Sequence, residues 1–94
     1  MINDKDDQRF PTVWQQIVNH AGERFATKTG LPFTYEVRGD TVVVDRPRHP
    51  YPLHSSNFRT AFALLPLSGP GEINALVRGP AYVWAILTDG RIQP

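Results

Sequence analysis

Residues 33–45 narrow the possible folds first. Phe33-Thr34-Tyr35-Glu36-Val37-Arg38 alternates apolar and polar side chains, Gly39-Asp40 follows, and Thr41-Val42-Val43-Val44-Asp45 is a β-branched run. Period-two alternation on either side of a Gly-containing dipeptide is the pattern of a β-hairpin with one buried face. Phe33, Tyr35 and Val37 share that face, so this chain must supply something apolar to cover it.

The cover is legible upstream. Phe10, Val13, Trp14, Ile17, Val18 and Ala21 recur at i, i+3, i+4, i+7, i+8 and i+11, the stripe of an amphipathic helix. Thr12 with Gln15 fits a capping box and Gly22 a left-handed C-terminal cap, which places the helix from about Pro11 to His20. Phe25 and Thr27, opposed to Arg24, Ala26 and Lys28, predict a first short strand ended by Thr29-Gly30. Residues 1–9 are polar and charged and are expected to be a disordered tail.

Downstream of the hairpin, Arg46-Pro47-Arg48-His49-Pro50-Tyr51-Pro52-Leu53-His54 contains Pro47, Pro50 and Pro52, which argue against a central strand and for an extended, exposed loop. Ser55 or Ser56 is placed to cap a helix carrying Phe58, Ala61, Phe62 and Leu65, with Pro66 as its stop. Gly69-Pro70-Gly71 reads as a turn, and Ile73, Leu76 and Val77 as a short helix ended by Gly79. Pro80 is suited to the first position of a last helix, on which Tyr82, Val83, Ile86 and Leu87 form the apolar stripe. The run 82–87 is apolar enough to be a buried strand instead, and helix is the favoured reading.

The expectation is therefore one α+β domain over residues 10–94: an N-terminal helix, a three-stranded antiparallel sheet, and two to three C-terminal helices packed on one sheet face. Ninety-four residues leave no room for a second domain. The absence of cysteine removes disulfides, thiolate zinc sites and cysteine nucleophiles. No apolar signal core or membrane-length stretch occurs, so the sequence reads as a soluble, cytoplasmic protein with no membrane partner.

The order helix, three strands, helix over residues 10–66 resembles the topology of double-stranded RNA-binding domains. That resemblance implies phosphate contacts from the start of the second helix. The family has a lysine cluster there, whereas Ser55-Ser56-Asn57-Phe58-Arg59 has one arginine and no lysine. The stretch Gly30-Leu31-Pro32-Phe33-Thr34-Tyr35-Glu36-Val37, with Arg78-Gly79-Pro80-Ala81-Tyr82-Val83-Trp84, is also similar to small uncharacterised bacterial proteins, which implies a single domain and no particular chemistry.

Catalytic patterns are weak. His49 and His54, five apart on a loop with Asp45 as a third ligand, lack the spacing that fixes a metal; solvent-exposed histidines are the simpler account. Ser55 and Ser56 beside His54 lack a nucleophile elbow and are accounted for as helix caps. Glu23, Glu36, Asp40, Asp45, Glu72 and Asp89 are scattered, and Ser68-Gly69-Pro70-Gly71 lacks the ending of a phosphate loop. The expectation is a protein that is not an enzyme and takes no cofactor.

Charge distribution carries more. The net charge is +1, yet Arg46 to Gly71 contains three arginines, two histidines and no acid. Arg46, Arg48, His49, His54, Ser55, Ser56 and Arg59, with Tyr51 and Asn57 among them, place cations before a helix N-terminus, a setting that suits phosphate. A solvated basic loop is the plain alternative. The favoured function is a binding module for DNA or RNA through this surface. The second reading is a protein-interaction or homodimer surface around Tyr82, Trp84 and Leu87, on the expectation that Trp84 leaves the helix stripe and faces solvent.

Overall fold

The computed structural model describes residues 4–93, with residues 4–8 described by their backbone only. Helix α1 (Asp4–Asn19) is followed by strands β1 (Phe25–Ala26), β2 (Pro32–Phe33), β3 (Tyr35–Arg38), β4 (Thr41–Val44) and β5 (Tyr51–His54). Helix α2 (Ser55–Phe62), a 3-10 turn (Pro70–Ile73) and helix α3 (Pro80–Thr88) complete the chain. The α+β class is as expected from the sequence.

The predicted hairpin is present, in the register Tyr35 opposite Val44 and Arg38 opposite Thr41. Gly39 has φ +60°, and no described non-glycine residue has positive φ, so the turn is of the kind with glycine at its first central position. The three-stranded sheet is not the one expected, however. Its order is β3-β4-β5, so the third strand comes from the proline-bearing segment, while β1 pairs only with β2 in a separate two-residue ribbon. Pro52 is tolerated because β5 is an edge. Ser55 N–H donates to Asp40 O at 2.7 Å, so alternate residues 51, 53 and 55 turn toward β4 and Pro52 turns its nitrogen to the open side.

Three further boundaries move. Helix α1 begins at Asp4, inside the segment expected to be a tail, and runs through Pro11. No glycine or proline interrupts residues 4–10, so nothing there stops the helix, and Thr12 lies too far inside it to cap. Residues 1–3 of the expected tail lie outside the described residues. Helix α2 ends at Phe62, before Pro66. The expected helix around Ile73, Leu76 and Val77 is a 3-10 turn and further turns that bury Ile73 but leave Leu76 exposed, because Gly-Pro-Gly before it and Arg-Gly-Pro after it leave too short a run to propagate an α-helix.

On one face of the sheet Tyr35, Val42, Val44 and Leu53 are fully buried. Phe10, Val13 and Ile17 of α1, Phe58, Ala61 and Phe62 of α2, and Val83, Ala85, Ile86 and Leu87 of α3 complete the core with Phe25, Phe33 and Ile92. Tyr35 is the one phenol wholly inside, and its hydroxyl donates to Ile17 O at 2.6 Å, which ties β3 to α1 and satisfies the buried oxygen. Among the described residues no helix is long and apolar enough to cross a membrane.

Candidate nucleic-acid interface

Residues 46–50 leave β4 as a fully exposed series of bends, and Tyr51 begins β5 on the sheet's inner side at its open edge. The ring of Tyr51 meets that of Tyr82 from α3 edge-on, with centroids 6.0 Å apart. The Arg46 guanidinium carbon lies 5.0 Å from the centroid of Tyr51, and that of Arg78 lies 5.6 Å from it. Each contact is a cation–π interaction, and together they hold two like charges near one ring.

Arg78 reaches this position through its backbone. Gly79 adopts φ +55° and ψ 48°, and a Cβ there would stand 2.9 Å from both Tyr51 Cε2 and Leu53 Cδ2. Only glycine lets the chain pass so close to β5 in a left-handed conformation. Asn57 secures the other side: its Oδ1 accepts from Arg78 N–H at 3.0 Å, and its Nδ2 donates to His54 O at 3.2 Å. Asn57 is thus a bracket between α2 and the loop before α3.

Neither Arg46 nor Arg78 has a carboxylate partner among the described residues. The contrast with other arginines is direct, since Arg38 pairs with Glu36, and Arg91 pairs with Asp89 and Glu23. Arg48 and His49 are exposed beside Arg46, and with Pro47 these residues line a shallow hollow of about 300 Å³.

The expected basic surface is divided by the fold. Arg46 lies over Tyr51 and shares its hollow with Arg48 and His49, whereas Arg59 turns toward α1, its guanidinium carbon 4.7 Å from the Phe10 centroid. Its neighbours are Phe10, Pro11, Trp14, Asp40 and Ser55. The helix N-terminus is also not open in the way expected. His54, not a serine, is the cap of α2: its Nδ1 accepts from Ser56 N–H at 3.0 Å and lies 3.0 Å from Ser56 Oγ. His54, Ser55 and Ser56 therefore serve the helix start, because the imidazole already occupies a donor that an anion would use.

No protein-family model, no curated protein and no solved structure matches this chain.

The second expected surface changes more. Leu87 is 1 % exposed and belongs to the core, so it is unavailable to a partner. Trp84 does not face solvent: it is half-buried and its indole N–H donates to Leu67 O at 3.0 Å. Tyr82 is half-buried between Phe33 and Tyr51. Nearly every side of α3 is covered, because the helix is apolar all round and packs against α2, the 3-10 turn and β1. Arg78 is the residue that sequence reasoning missed. It stood beside Gly79-Pro80 as helix punctuation, and nothing local marks it as a neighbour of Tyr51.

Proposed function

We propose that this protein is a non-enzymatic nucleic-acid-binding module that holds phosphates through Arg46, Arg78 and Arg48, with His49 beside them. The observation that supports this reading is the convergence of Arg46 and Arg78 on the Tyr51 ring without a neutralising carboxylate among the described residues. A planar guanidinium held on an aromatic face keeps its N–H fork for a ligand and loses less side-chain freedom on binding than a free one. Two such cations on one ring repel each other, and a phosphate between or across them relieves the repulsion while accepting charge-assisted hydrogen bonds. Asn57 and Gly79 act indirectly, by fixing where Arg78 leaves the backbone.

The test is fluorescence anisotropy of labelled mixed-sequence DNA and RNA oligomers over a salt series. Binding is expected to weaken as salt rises, and the double variant Arg46→Gln/Arg78→Gln to lower affinity and flatten the logarithmic slope by about two phosphate contacts. An affinity and slope unchanged by the double variant would remove this surface as the site.

A further inference from the structure

We infer that the nucleic acid this surface takes is single-stranded, gripped along its backbone over about three phosphates with a base lying in the adjoining hollow. The inference rests on reading Arg46, Arg48 and Arg78 as phosphate contacts, and adds the form of the strand. Three features of the surface point the same way.

The first is concavity. Arg46, Pro47, Arg48 and His49 line a hollow of about 300 Å³, and the guanidinium of the same Arg46 lies over Tyr51. An imidazole is a flat ring on which an unstacked base can lie, the proline ring adds apolar surface beside it, and a single strand presents such bases. A duplex keeps its bases paired and offers a convex backbone, which leaves the hollow unfilled.

The second is the exposed face of α2, the helix that Asn57 ties to Arg78. Helix α2 has eight residues, its Phe58, Ala61 and Phe62 are in the core, and its exposed Ser56 and Thr60 carry no charge. Its arginine, Arg59, lies over Phe10 on the α1 side. Groove readers present several cations or amides from an exposed helix face or ribbon, and α2 presents one arginine, turned away from the patch.

The third is extent. The unneutralised arginines sit on two loops at one edge of β5, and exposed Asp45 directly precedes the patch. A carboxylate at that border is unfavourable for a second phosphate backbone and tolerable for one that ends at the patch. Few cations also mean few released counterions, so the salt dependence must be shallow compared with that of a protein that tracks a duplex.

The experiment compares one mixed-sequence DNA as a single strand and as a duplex, by anisotropy at several salt concentrations, with a length series of single strands and competition by inorganic phosphate and a mononucleotide. The expected result is at least roughly tenfold tighter binding of the single strand, a slope near −2 for about three phosphates, and affinity that stops rising beyond a few nucleotides. Tighter binding of the duplex, lost in Arg46→Gln/Arg78→Gln, overturns the single-strand inference and keeps the phosphate site. A mononucleotide competing as well as a twelve-residue strand overturns it too, by reducing the ligand to one nucleotide. No binding of any strand at low salt overturns both this inference and the reading beneath it.

Discussion

Single residues decide how the candidate interface is built, and two of them act without offering a charge. Gly79 sits at φ +55° with β5 side chains 2.9 Å from where a Cβ would be. Gly79→Ala therefore meets both a left-handed backbone penalty and an overpacked contact, together about 2 kcal/mol or more. In a domain of this size that lowers the melting temperature by about 10 °C, measurable by circular dichroism. The displaced loop should also take Arg78 off Tyr51 and weaken oligonucleotide binding beyond what the stability loss explains. A variant as stable and as competent as the parent would show that the loop has room. His54 illustrates the same lesson from the polar side: a residue read as a ligand group is occupied in capping its own helix. Trp84 lies off the apolar stripe of its helix, which predicts an exposed side chain, yet the carbonyl of Leu67 satisfies its N–H and lets it pack inward.

At the level of elements, β5 is the consequential one, since it both completes the sheet and carries Tyr51. Its outer edge exposes unpaired backbone, the usual hazard of an edge strand. Pro52 blunts that edge by lacking the outward N–H, opposite Val43 in the register. At the opposite edge of the sheet, Gly22 N–H donates to Tyr35 O at 2.8 Å. Pro52→Thr restores a donor on the open edge without changing the buried face. Sedimentation at increasing protein concentration should then show more association than the parent, with a melting temperature little changed. Equal sedimentation behaviour of the two proteins would mean that Pro52 does not protect this edge. The hairpin that precedes β5 was readable because alternation and a glycine turn are local properties. The partner of its second strand was not, since proline disfavours strands in general and only an edge position cancels the objection.

Across the whole molecule, the two ends of the fold are tied by Arg91. It holds Asp89 through Nε–Oδ1 at 2.9 Å and Nη2–Oδ2 at 3.0 Å, Glu23 at 3.0 Å, and the Arg24 carbonyl at 2.8 Å, with its guanidinium carbon 3.9 Å from the Phe25 centroid. The hydrogen bonds from Arg91 hold the Asp89 carboxyl below its ordinary range, while His20 first and Arg91 second do the same for Glu23. Ser68, through its hydroxyl and backbone N–H, lowers Glu72 likewise. Lowered carboxyl values contribute stability that is complete above about pH 5 and is lost as pH falls through the range near and below 4. Burial pushes the Tyr35 phenol up, so its contribution is complete below its ordinary value near 10 and is lost as pH rises above it. Thermal melts across pH should show a plateau with both limbs falling, and Arg91→Met should flatten the acid limb. An acid limb of the same depth in that variant would assign acid sensitivity elsewhere.

What the amino-acid order determined by itself is whatever depends on near neighbours: the apolar stripe of α1, the alternation of β3 and β4, the proline start of α3, and the absence of thiol chemistry. Periodicity reports such features because each residue's face is set by the residues three or four, or two, positions away. Of the candidate interface, Arg46, Arg48, His49 and Tyr51 were visible as one basic run. Arg78 joining them, Arg59 leaving for Phe10, and His54 turning back to cap α2 were decided only by the tertiary structure. Those outcomes depend on contacts between segments far apart in the chain, which no local pattern encodes, and it is the closed core that brings Gly79 against β5 and so places the second arginine on Tyr51.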